Sequence, residues 1–131
     1  MTTIVVAAAI VERGDTVLVT RRQPGVHLAG HWEFPGGKCE PGESLNGCLA
    51  RELREELNVD AVPGEEVFVT THDYAERRVE LHFLRCELRS EPAPQLGQDM
   101  RWVPRHELAS LAFPPADEAL IIVLTERKAE L

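Results

Sequence analysis

The chain has 131 residues, 44% of them hydrophobic, which is the size and composition of one compact globular domain spanning residues 1–131. Its formal net charge of -8 argues against a nucleic-acid polymer as the main partner, because binding a phosphate backbone depends on clustered lysine and arginine. An acidic protein can still act on a polyphosphate if metal ions stand between its carboxylates and the substrate.

The first element is an apolar segment from Ile4 to Val11, which we interpret as a buried strand. It has no basic leader and is cut off by a charged turn, so it is too short to span a bilayer and does not resemble a secretory signal. The three cysteines, Cys39, Cys48 and Cys86, have no metal-ligand spacing, and we expect them to be reduced packing residues. These features predict a cytoplasmic protein with no membrane partner.

Four further strands are predicted from runs of β-branched or alternating apolar residues, at 16–20, 66–71, 79–88 and 100–103. A helix is predicted from about Ser44 to Leu57, and Asn58 is expected to end it in a left-handed conformation. Two shorter helices are predicted near 104–111 and 117–127. Strands interrupted by a central helix and closed by a C-terminal helix indicate an α/β (α+β) fold, with a mixed β-sheet sandwiched between α-helices.

The central helix carries a cluster of carboxylates. Because positions three and four apart are neighbours on a helix, Glu52, Glu55 and Glu56 place three like charges within one turn. One explanation is a solvated helix face on which Arg51 pairs with Glu55. The alternative is a magnesium site, because the glycine turn at 36–37 lets the backbone approach a ligand and offers carbonyl oxygens beside the carboxylates.

This segment resembles the Nudix box, which is Gly, five residues, Glu, seven residues, then Arg-Glu-hydrophobic-x-Glu-Glu-x-Gly-hydrophobic. The matching residues are Gly37, Glu43, Arg51, Glu52, Leu53, Glu55, Glu56 and Val59. Asn58 stands where the box has its last glycine, a position that needs only a left-handed backbone. The resemblance implies a Nudix-type fold and a hydrolase that attacks an inner phosphorus of a nucleoside triphosphate, giving the monophosphate and pyrophosphate.

The resemblance also implies roles for the matching residues. The implied ligands of Mg²⁺, with Mn²⁺ as an alternative, are the Gly36 carbonyl and the carboxylates of Glu52, Glu55 and Glu56. Arg51 and Glu43 are expected to orient these carboxylates. Metal ions in this site would polarise phosphate oxygens and lower the pKa of an attacking water, with Glu52 or Glu55 as the expected base.

Over nearly the whole chain, the resemblance is closest to the MutT-like branch, whose members sanitise or degrade nucleoside triphosphates. The substrate-binding residues that it implies are Arg22, His27, Glu33, Phe34, Pro35, Gly36, Gly37, Lys38 and Asp117, to which we add Tyr74 as an aromatic candidate beside the base. Arg22 is expected to contact the phosphates, whereas His27 and Lys38 are as well explained by exposed solubilising charges.

Asp117 bears on the choice of base. An ionised aspartate only accepts hydrogen bonds, which suits the amine of cytosine, or the ring N–H and amine of guanine, but not the guanine O6 acceptor. The 8-oxo-dGTP assignment, in which the matching residue is Asn, therefore has a close rival in CTP or a modified dCTP. Asp117 is equally well explained as the N-cap of the last helix, since it follows two prolines.

The loop before Trp102 departs from the resemblance. Relatives often carry there an additional Glu, at the position of Leu96, that serves as a metal ligand or base. Gln98 is a poor base, and Asp99 can serve only if the loop shifts. A nucleotide-binding module without catalysis remains as an alternative, which the intact box carboxylates disfavour. The sequence is compatible with a monomer or a homodimer.

Overall fold

The computed structural model describes residues 2–26 and 28–127. Its elements in chain order are β1 (Thr2–Ile10), β2 (Glu12–Arg13), β3 (Thr16–Arg21), β4 (Trp32–Glu33), β5 (Gly36–Lys38), α1 (Leu45–Leu57), β6 (Ala61–Asp73), β7 (Arg77–Leu88), β8 (Met100–Pro104) and α2 (Glu118–Arg127), with short 3-10 helices at Arg105–Ser110 and Pro115–Asp117. In this part of the chain, neither α-helix has the length and apolar character needed to cross a membrane.

The strands form two sheets. The first has the order β5-β1-β7-β6, in which β1 and β7 are parallel and the other pairs are antiparallel. In the second sheet β3 pairs antiparallel with β2, β4 and β8. Because β1 is internal to the first sheet and carries side chains on both buried faces, its sequence is a continuous apolar run rather than an alternating one.

Successive side chains of β1 point to opposite faces and so divide the core into two clusters. Ala7 and Ala9 pack on the side covered by α1, together with Leu49 and its helix neighbours. Ala8 and Ile10 pack on the other side, where α2 covers the core. A mixed sheet therefore lies between helices, and the predicted fold class is confirmed.

Both ends of α1 follow from local chemistry. The Ser44 hydroxyl accepts a hydrogen bond from the Gly47 amide at 3.0 Å, which is an N-cap. Asn58 has a φ of 48° and donates its amide to the Arg54 carbonyl. Amides of the loop at 93–95 donate to the last carbonyls of the helix. The predicted bounds and the left-handed end of this helix are confirmed.

The remaining elements differ from the prediction in length or type. Strands β2, β4 and β5 are not predicted, because two or three residues carry no periodicity. Strand β6 begins at Ala61, and the register between β6 and β7 shifts at a β-bulge near Pro63 and Gly64. The segment Arg105–Ser110 is a 3-10 helix rather than an α-helix.

The expectation of three reduced cysteines is wrong for two of them. Cys39, in the turn after β5, and Cys48, in α1, form a disulfide with their Cα atoms 5.2 Å apart. The sequence does not reveal this pair, because the contact arises only when α1 folds back over β5. Cys86 is a free, buried thiol whose pKa burial raises to about 12, in agreement with a packing role.

Candidate active site

The glycine turn packs directly against the turn of α1 that carries Glu52, Glu55 and Glu56, which we call the acidic turn. Gly36 and Gly37 lie in β5, opposite Ala8 and Ala7 of β1. A Cβ atom on Gly36 would overlap the backbone of β1, and one on Gly37 would overlap the carboxylate of Glu52. Glycine is therefore required at Gly36, where backbone atoms leave no room. At Gly37, a side chain would displace the Glu52 carboxylate, which lies beside the strand backbone.

The three carboxylates expected to bind metal accept hydrogen bonds from two different groups, Arg51 and the Gly36 amide. Nη1 of Arg51 donates to Glu52 at 3.0 Å and to Glu55 at 3.3 Å. Glu56 turns away from them and accepts a hydrogen bond from the Gly36 amide at 3.2 Å. Within residues 2–26 and 28–127, no three acidic, histidine or cysteine side chains converge as metal ligands. Mutual repulsion and the separate donors explain this divergence.

The donor set nevertheless fits a divalent cation. Burial, followed by the nearby charges of Glu33 and Glu52, raises the pKa of Glu56 to about 8. Hard cations prefer carboxylate and carbonyl oxygens, which this turn supplies together. A cation here would offset both the desolvation of Glu56 and its repulsion by neighbouring carboxylates.

Arg51 ties the turn after β5 to the acidic helix. Its Nε and Nη2 atoms donate to the two carboxylate oxygens of Glu43 at 2.7 and 2.9 Å, and Nη2 also donates to the Lys38 carbonyl at 3.1 Å. Hydrogen bonds from Arg51, and then from the Glu40 amide, lower the pKa of Glu43 to about 2. Arg51 therefore pairs chiefly with Glu43, and not only with Glu55 as on a solvated helix face.

A cleft of about 430 Å³ opens next to this turn, between the glycine turn, the β6–β7 hairpin and the segment before α2. Of the residues expected in the site, it is lined by Arg22, Glu33, Phe34, Gly36, Gly37, Lys38, Glu56, Tyr74 and Asp117. Pro35 is not among the lining residues, and its carbonyl accepts a hydrogen bond from the Ala9 amide at 2.8 Å. His27 lies outside the described residues.

Sequence reasoning missed most of the hairpin side of the cleft. The lining residues from β6 and β7 are Thr70, His72, Arg77, Val79, Leu81 and Phe83. Phe83 is expected in the core and is 1% exposed. Alternation along these strands predicts that such residues share a face, but only their pairing with β1 places that face beside the glycine turn.

Aromatic side chains form one wall of the cleft and its surroundings. The Phe34 ring stacks on Phe113 with centroids 5.2 Å apart and meets the edge of Phe83 at 5.8 Å. At the hairpin, the rings of His72 and Tyr74 lie 4.6 Å apart. Planar apolar surfaces of this kind suit a nucleobase.

Three charged groups lie together at the inner end of the cleft. Nη1 of Arg22 donates to Glu33 at 2.9 Å, and burial raises the pKa of Glu33 despite this arginine. Asp117 is 5% exposed, and burial, followed by the charge of Glu33, raises its pKa to about 7. No hydrogen bond from another described residue reaches the Asp117 carboxylate, so it does not cap α2.

The loop before β8 brings no carboxylate to the acidic turn of the described chain. Leu96 is 56% exposed. The side-chain nitrogen of Gln98 donates to the Glu56 backbone carbonyl at 3.3 Å, and its side-chain oxygen accepts from the Leu96 backbone amide. Asp99 instead lies 3.8 Å from Arg21. Gln98 therefore supports the helix end, and Asp99 faces elsewhere.

A larger cavity, of about 500 Å³, lies at the other end of the first sheet, between the end of β1, the start of β6 and Trp102. Three of its charged side chains pair with one another, since Arg85 donates to Glu12 at 2.9 Å and to Glu65 at 2.8 Å. None of the carboxylates of the acidic turn lines it. The smaller cleft is therefore the candidate active site.

Known proteins resemble the chain over most of its length. A family profile described as NUDIX domain matches residues 6–122. The CTP pyrophosphohydrolase of Escherichia coli (strain K12) is 36% identical over 122 residues, covering 92% of this chain and 90% of that protein. The putative 8-oxo-dGTP diphosphatase 2 of Mycobacterium tuberculosis (strain ATCC 25618 / H37Rv) is 40% identical over 124 residues, covering 90% and 84%.

The solution structure of the E. coli ORF135 protein is similar with a TM-score of 0.88 and 34% identity, covering 99% of this chain and 94% of that one. The likeness thus includes the glycine turn, the acidic helix and the hairpin that together bound the cleft. This chain belongs to the Nudix family, as a MutT-like hydrolase that acts on acid anhydrides.

Proposed function

We propose that this chain is a Mg²⁺-dependent enzyme that hydrolyses nucleoside triphosphates to the monophosphate and pyrophosphate, as a single domain over residues 1–131. The observation that carries the proposal is that Glu56 of the acidic turn lines the same cleft as Phe34 and Asp117. A nucleotide whose base enters the aromatic part of this cleft presents its phosphates to the carboxylates of α1.

Nudix hydrolases generally use divalent metal ions. We assign the ion to Glu52, Glu55, Glu56 and the Gly36 carbonyl, with Mg²⁺ as the preferred ion and Mn²⁺ as an alternative, because all of these are hard oxygen ligands. When bound, the ion polarises phosphate oxygens, stabilises charge on the leaving pyrophosphate and lowers the pKa of a coordinated water.

The side chains of the chain perform the remaining tasks. Glu52 or Glu55 accepts the proton of the attacking water, since both lie within the turn that faces the phosphates. Arg51, held by Glu43, fixes the orientation of these carboxylates. Arg22 lines the cleft and binds phosphate oxygens with its planar guanidinium.

The other cleft residues bind the nucleoside and its phosphates. Lys38 is exposed at the mouth of the cleft, where it adds positive charge for the phosphates. Tyr74 stacks against the base, and Phe34, which is packed on Phe113, adds apolar surface to the cleft. Glu33 holds Arg22 in place through their ion pair. Asp117 faces the base and discriminates among substrates.

We propose 8-oxo-dGTP as the main substrate and CTP or a modified dCTP as the second candidate. With a pKa of about 7, Asp117 is present in both forms near neutral pH. The protonated carboxyl donates and accepts, as an Asn does, and so can face both O6 and a ring N–H of guanine. The ionised form only accepts, and it suits the amine of cytosine. The relative named 8-oxo-dGTP diphosphatase supports the first candidate, and the relative named CTP pyrophosphohydrolase supports the second.

The test is a panel of normal and oxidised triphosphates compared by kcat/KM, with phosphorus NMR of the products. We expect the nucleoside monophosphate and pyrophosphate, and no turnover after chelation of divalent ions. Orthophosphate as the first product would contradict the proposed reaction. Tight nucleotide binding without turnover would favour a non-catalytic Nudix module instead.

We further propose that the enzyme works on the nucleotide pool of the cytoplasm, without a nucleic-acid polymer or a membrane as partner, and as a monomer or a homodimer. The net charge of -8 supports the first exclusion, because a phosphate backbone would be repelled. Light scattering coupled to size-exclusion chromatography distinguishes the two oligomeric states.

A further inference from the structure

A disulfide joins the two segments that build the proposed metal site. Cys39 lies in the turn that follows Gly36 and Gly37, and Cys48 lies one helical turn before Glu52 on α1. Cys48 is fully buried, whereas Cys39 is partly exposed. The bond therefore crosses the interface at which the glycine turn packs on the acidic helix.

A second connection crosses the same interface. Glu43, in the same turn as Cys39, accepts two hydrogen bonds from Arg51 at 2.7 and 2.9 Å. Arg51 also donates to Glu52 at 3.0 Å. Any displacement of the turn is therefore transmitted through Arg51 to the Glu52 carboxylate.

We propose that Cys39 and Cys48 form a reversible thiol–disulfide site that sets the metal affinity of the active site. This inference rests on the proposed function, through the metal-binding role of Glu52. In the oxidised form, the disulfide and the Glu43–Arg51 pair together hold the turn against α1. After reduction, the two thiols require van der Waals separation. The exposed turn at 40–42 then moves more readily than the buried Cys48, and it carries Glu43 with it.

The reaction is exchange with a dithiol. One thiolate of the reductant attacks the partly exposed sulfur of Cys39, which breaks the S–S bond and releases Cys48 as a thiolate that then takes up a proton. The second thiol attacks the mixed disulfide and releases Cys39, which is also protonated. The protein thus gains two electrons and two protons, and the dithiol becomes a cyclic disulfide. Cys86 takes no part, because burial keeps its thiol protonated.

The first measurement is the redox state of the cysteines. The full chain is incubated with oxidised glutathione or with dithiothreitol, denatured and alkylated, and the modified residues are identified by mass spectrometry. We expect Cys86 alone to be alkylated after oxidation and all three cysteines after reduction. Alkylation of Cys39 and Cys48 in the oxidised sample would overturn the proposal.

The second measurement is the magnesium concentration that half-saturates the thermal shift of the nucleotide-free protein. We expect reduction to raise this half-saturating concentration by about 3- to 10-fold. Complete removal of a residue that is hydrogen-bonded to a metal ligand lowers metal affinity more, by about 10- to 100-fold. Cys39→Ser removes the difference between the two redox states, and the matched control Cys86→Ala retains it. Equal magnesium affinity of oxidised and reduced wild type would overturn the proposal without reference to any variant.

Triphosphate hydrolysis, measured on the same samples, separates this proposal from the proposed function. A redox-dependent magnesium affinity in a protein that hydrolyses no triphosphate supports the redox site and rejects the proposed activity. Hydrolysis with the same magnesium dependence in both redox states supports the activity and rejects the redox site.

Discussion

Individual carboxylates of α1 experience very different surroundings. The Glu55 side chain is 59% exposed beside Arg51, whereas Glu56 faces the Gly36 amide in a buried position and has its pKa raised to about 8. Burial without a full counter-charge destabilises the fold and is typical of functional sites. Glu56 is therefore the carboxylate whose removal best separates activity from stability.

We expect Glu56→Gln, and likewise Glu52→Gln, to lower kcat/KM by more than about 100-fold. Removal of a residue that only supports a metal ligand already lowers metal affinity or activity by about 10- to 100-fold, and loss of a ligand itself should have a larger effect. Both variants should remain folded, since each relieves repulsion within the acidic turn. Steady-state kinetics and thermal unfolding measure the two effects. The control is Glu87→Gln, an exposed glutamate in β7, which should change neither. Activity near the wild-type level in Glu52→Gln or Glu56→Gln would remove that residue from the site.

For Asp117, the expected result is a pH-dependent substrate preference. The ratio of kcat/KM for 8-oxo-dGTP to that for CTP should fall as the pH rises through about 7, because deprotonation removes the donor that faces O6. Because the two kcat/KM values are divided, the pH dependence of the metal site and of the catalytic step, which both substrates share, cancels. Asp117→Asn should make the ratio independent of pH and shift it towards 8-oxo-dGTP by about 1–3 kcal/mol.

Asp117→Ala is the control for a purely structural role. A helix cap would show a loss of about 0.5–2 kcal/mol in stability, with the substrate ratio unchanged. The absence of a hydrogen bond from α2 to this carboxylate predicts the opposite, namely an altered ratio with little loss of stability.

Among the elements, the end of α1 offers a clean test of backbone strain. Asn58 adopts a φ of 48°, a conformation that costs a residue with a Cβ about 1–2 kcal/mol and costs glycine little. We expect Asn58→Ala to reduce the free energy of unfolding by about 1 kcal/mol and Asn58→Gly to leave it equal or slightly higher, as measured by urea denaturation. Equal stability of the Ala and Gly variants would show that the helix end relaxes without strain.

The same helix shows why its bounds are predictable. Ser44 and Asn58 act through hydrogen bonds and dihedral angles within a few residues of themselves, so the sequence alone locates both ends. Strand β5 forms by pairing with Val6, Ala7 and Ala8 of β1, which lie far away in sequence. The Cys39–Cys48 bond depends on the same long-range packing, and periodicity carries no information about it.

In the whole molecule, the site combines a predictable half and an unpredictable half. The acidic turn and the glycine turn form one contiguous motif, so their residues are recognised through its resemblance to the Nudix box. The opposite wall, including His72, Arg77 and Leu81, comes from the β6–β7 hairpin. Its position depends on the parallel register between β1 and β7, which is set by global packing and not by any local pattern.

Several raised pKa values give the whole molecule a predictable pH dependence. The pKa is raised to about 7 at Asp117 and to about 8 at Glu56, from ordinary values of 3.8 and 4.5. Between each unfolded and folded value, the folded protein keeps a proton that the unfolded chain releases, so stability falls as the pH rises. His82 acts in the same sense, since hydrogen bonds to Glu80 and Glu66 outweigh burial and raise its pKa.

Glu43 has the opposite shift but does not cancel this trend. Its pKa is lowered from 4.5 to about 2, so its contribution is complete above about 4.5 and is lost only on acidification towards 2. We therefore expect the Tm of the metal-free protein to fall between pH 6 and pH 8. Glu56→Gln should flatten this fall, because the amide does not titrate.

Magnesium should oppose this fall in stability, because metal ligands must be ionised and the ion binds the folded state. At ten times its Kd, it adds about 1.4 kcal/mol, which corresponds to a rise in Tm of about 3–6 °C for a chain of this size. At one fixed magnesium concentration, the rise should be larger at pH 8 than at pH 6, since Glu56 loses its proton near pH 8 and the Kd for the ion is then lower. Thermal unfolding at both pH values, with and without Mg²⁺, measures it. A magnesium effect that is equal at both pH values, or that persists in Glu56→Gln, would place the ion away from the acidic turn.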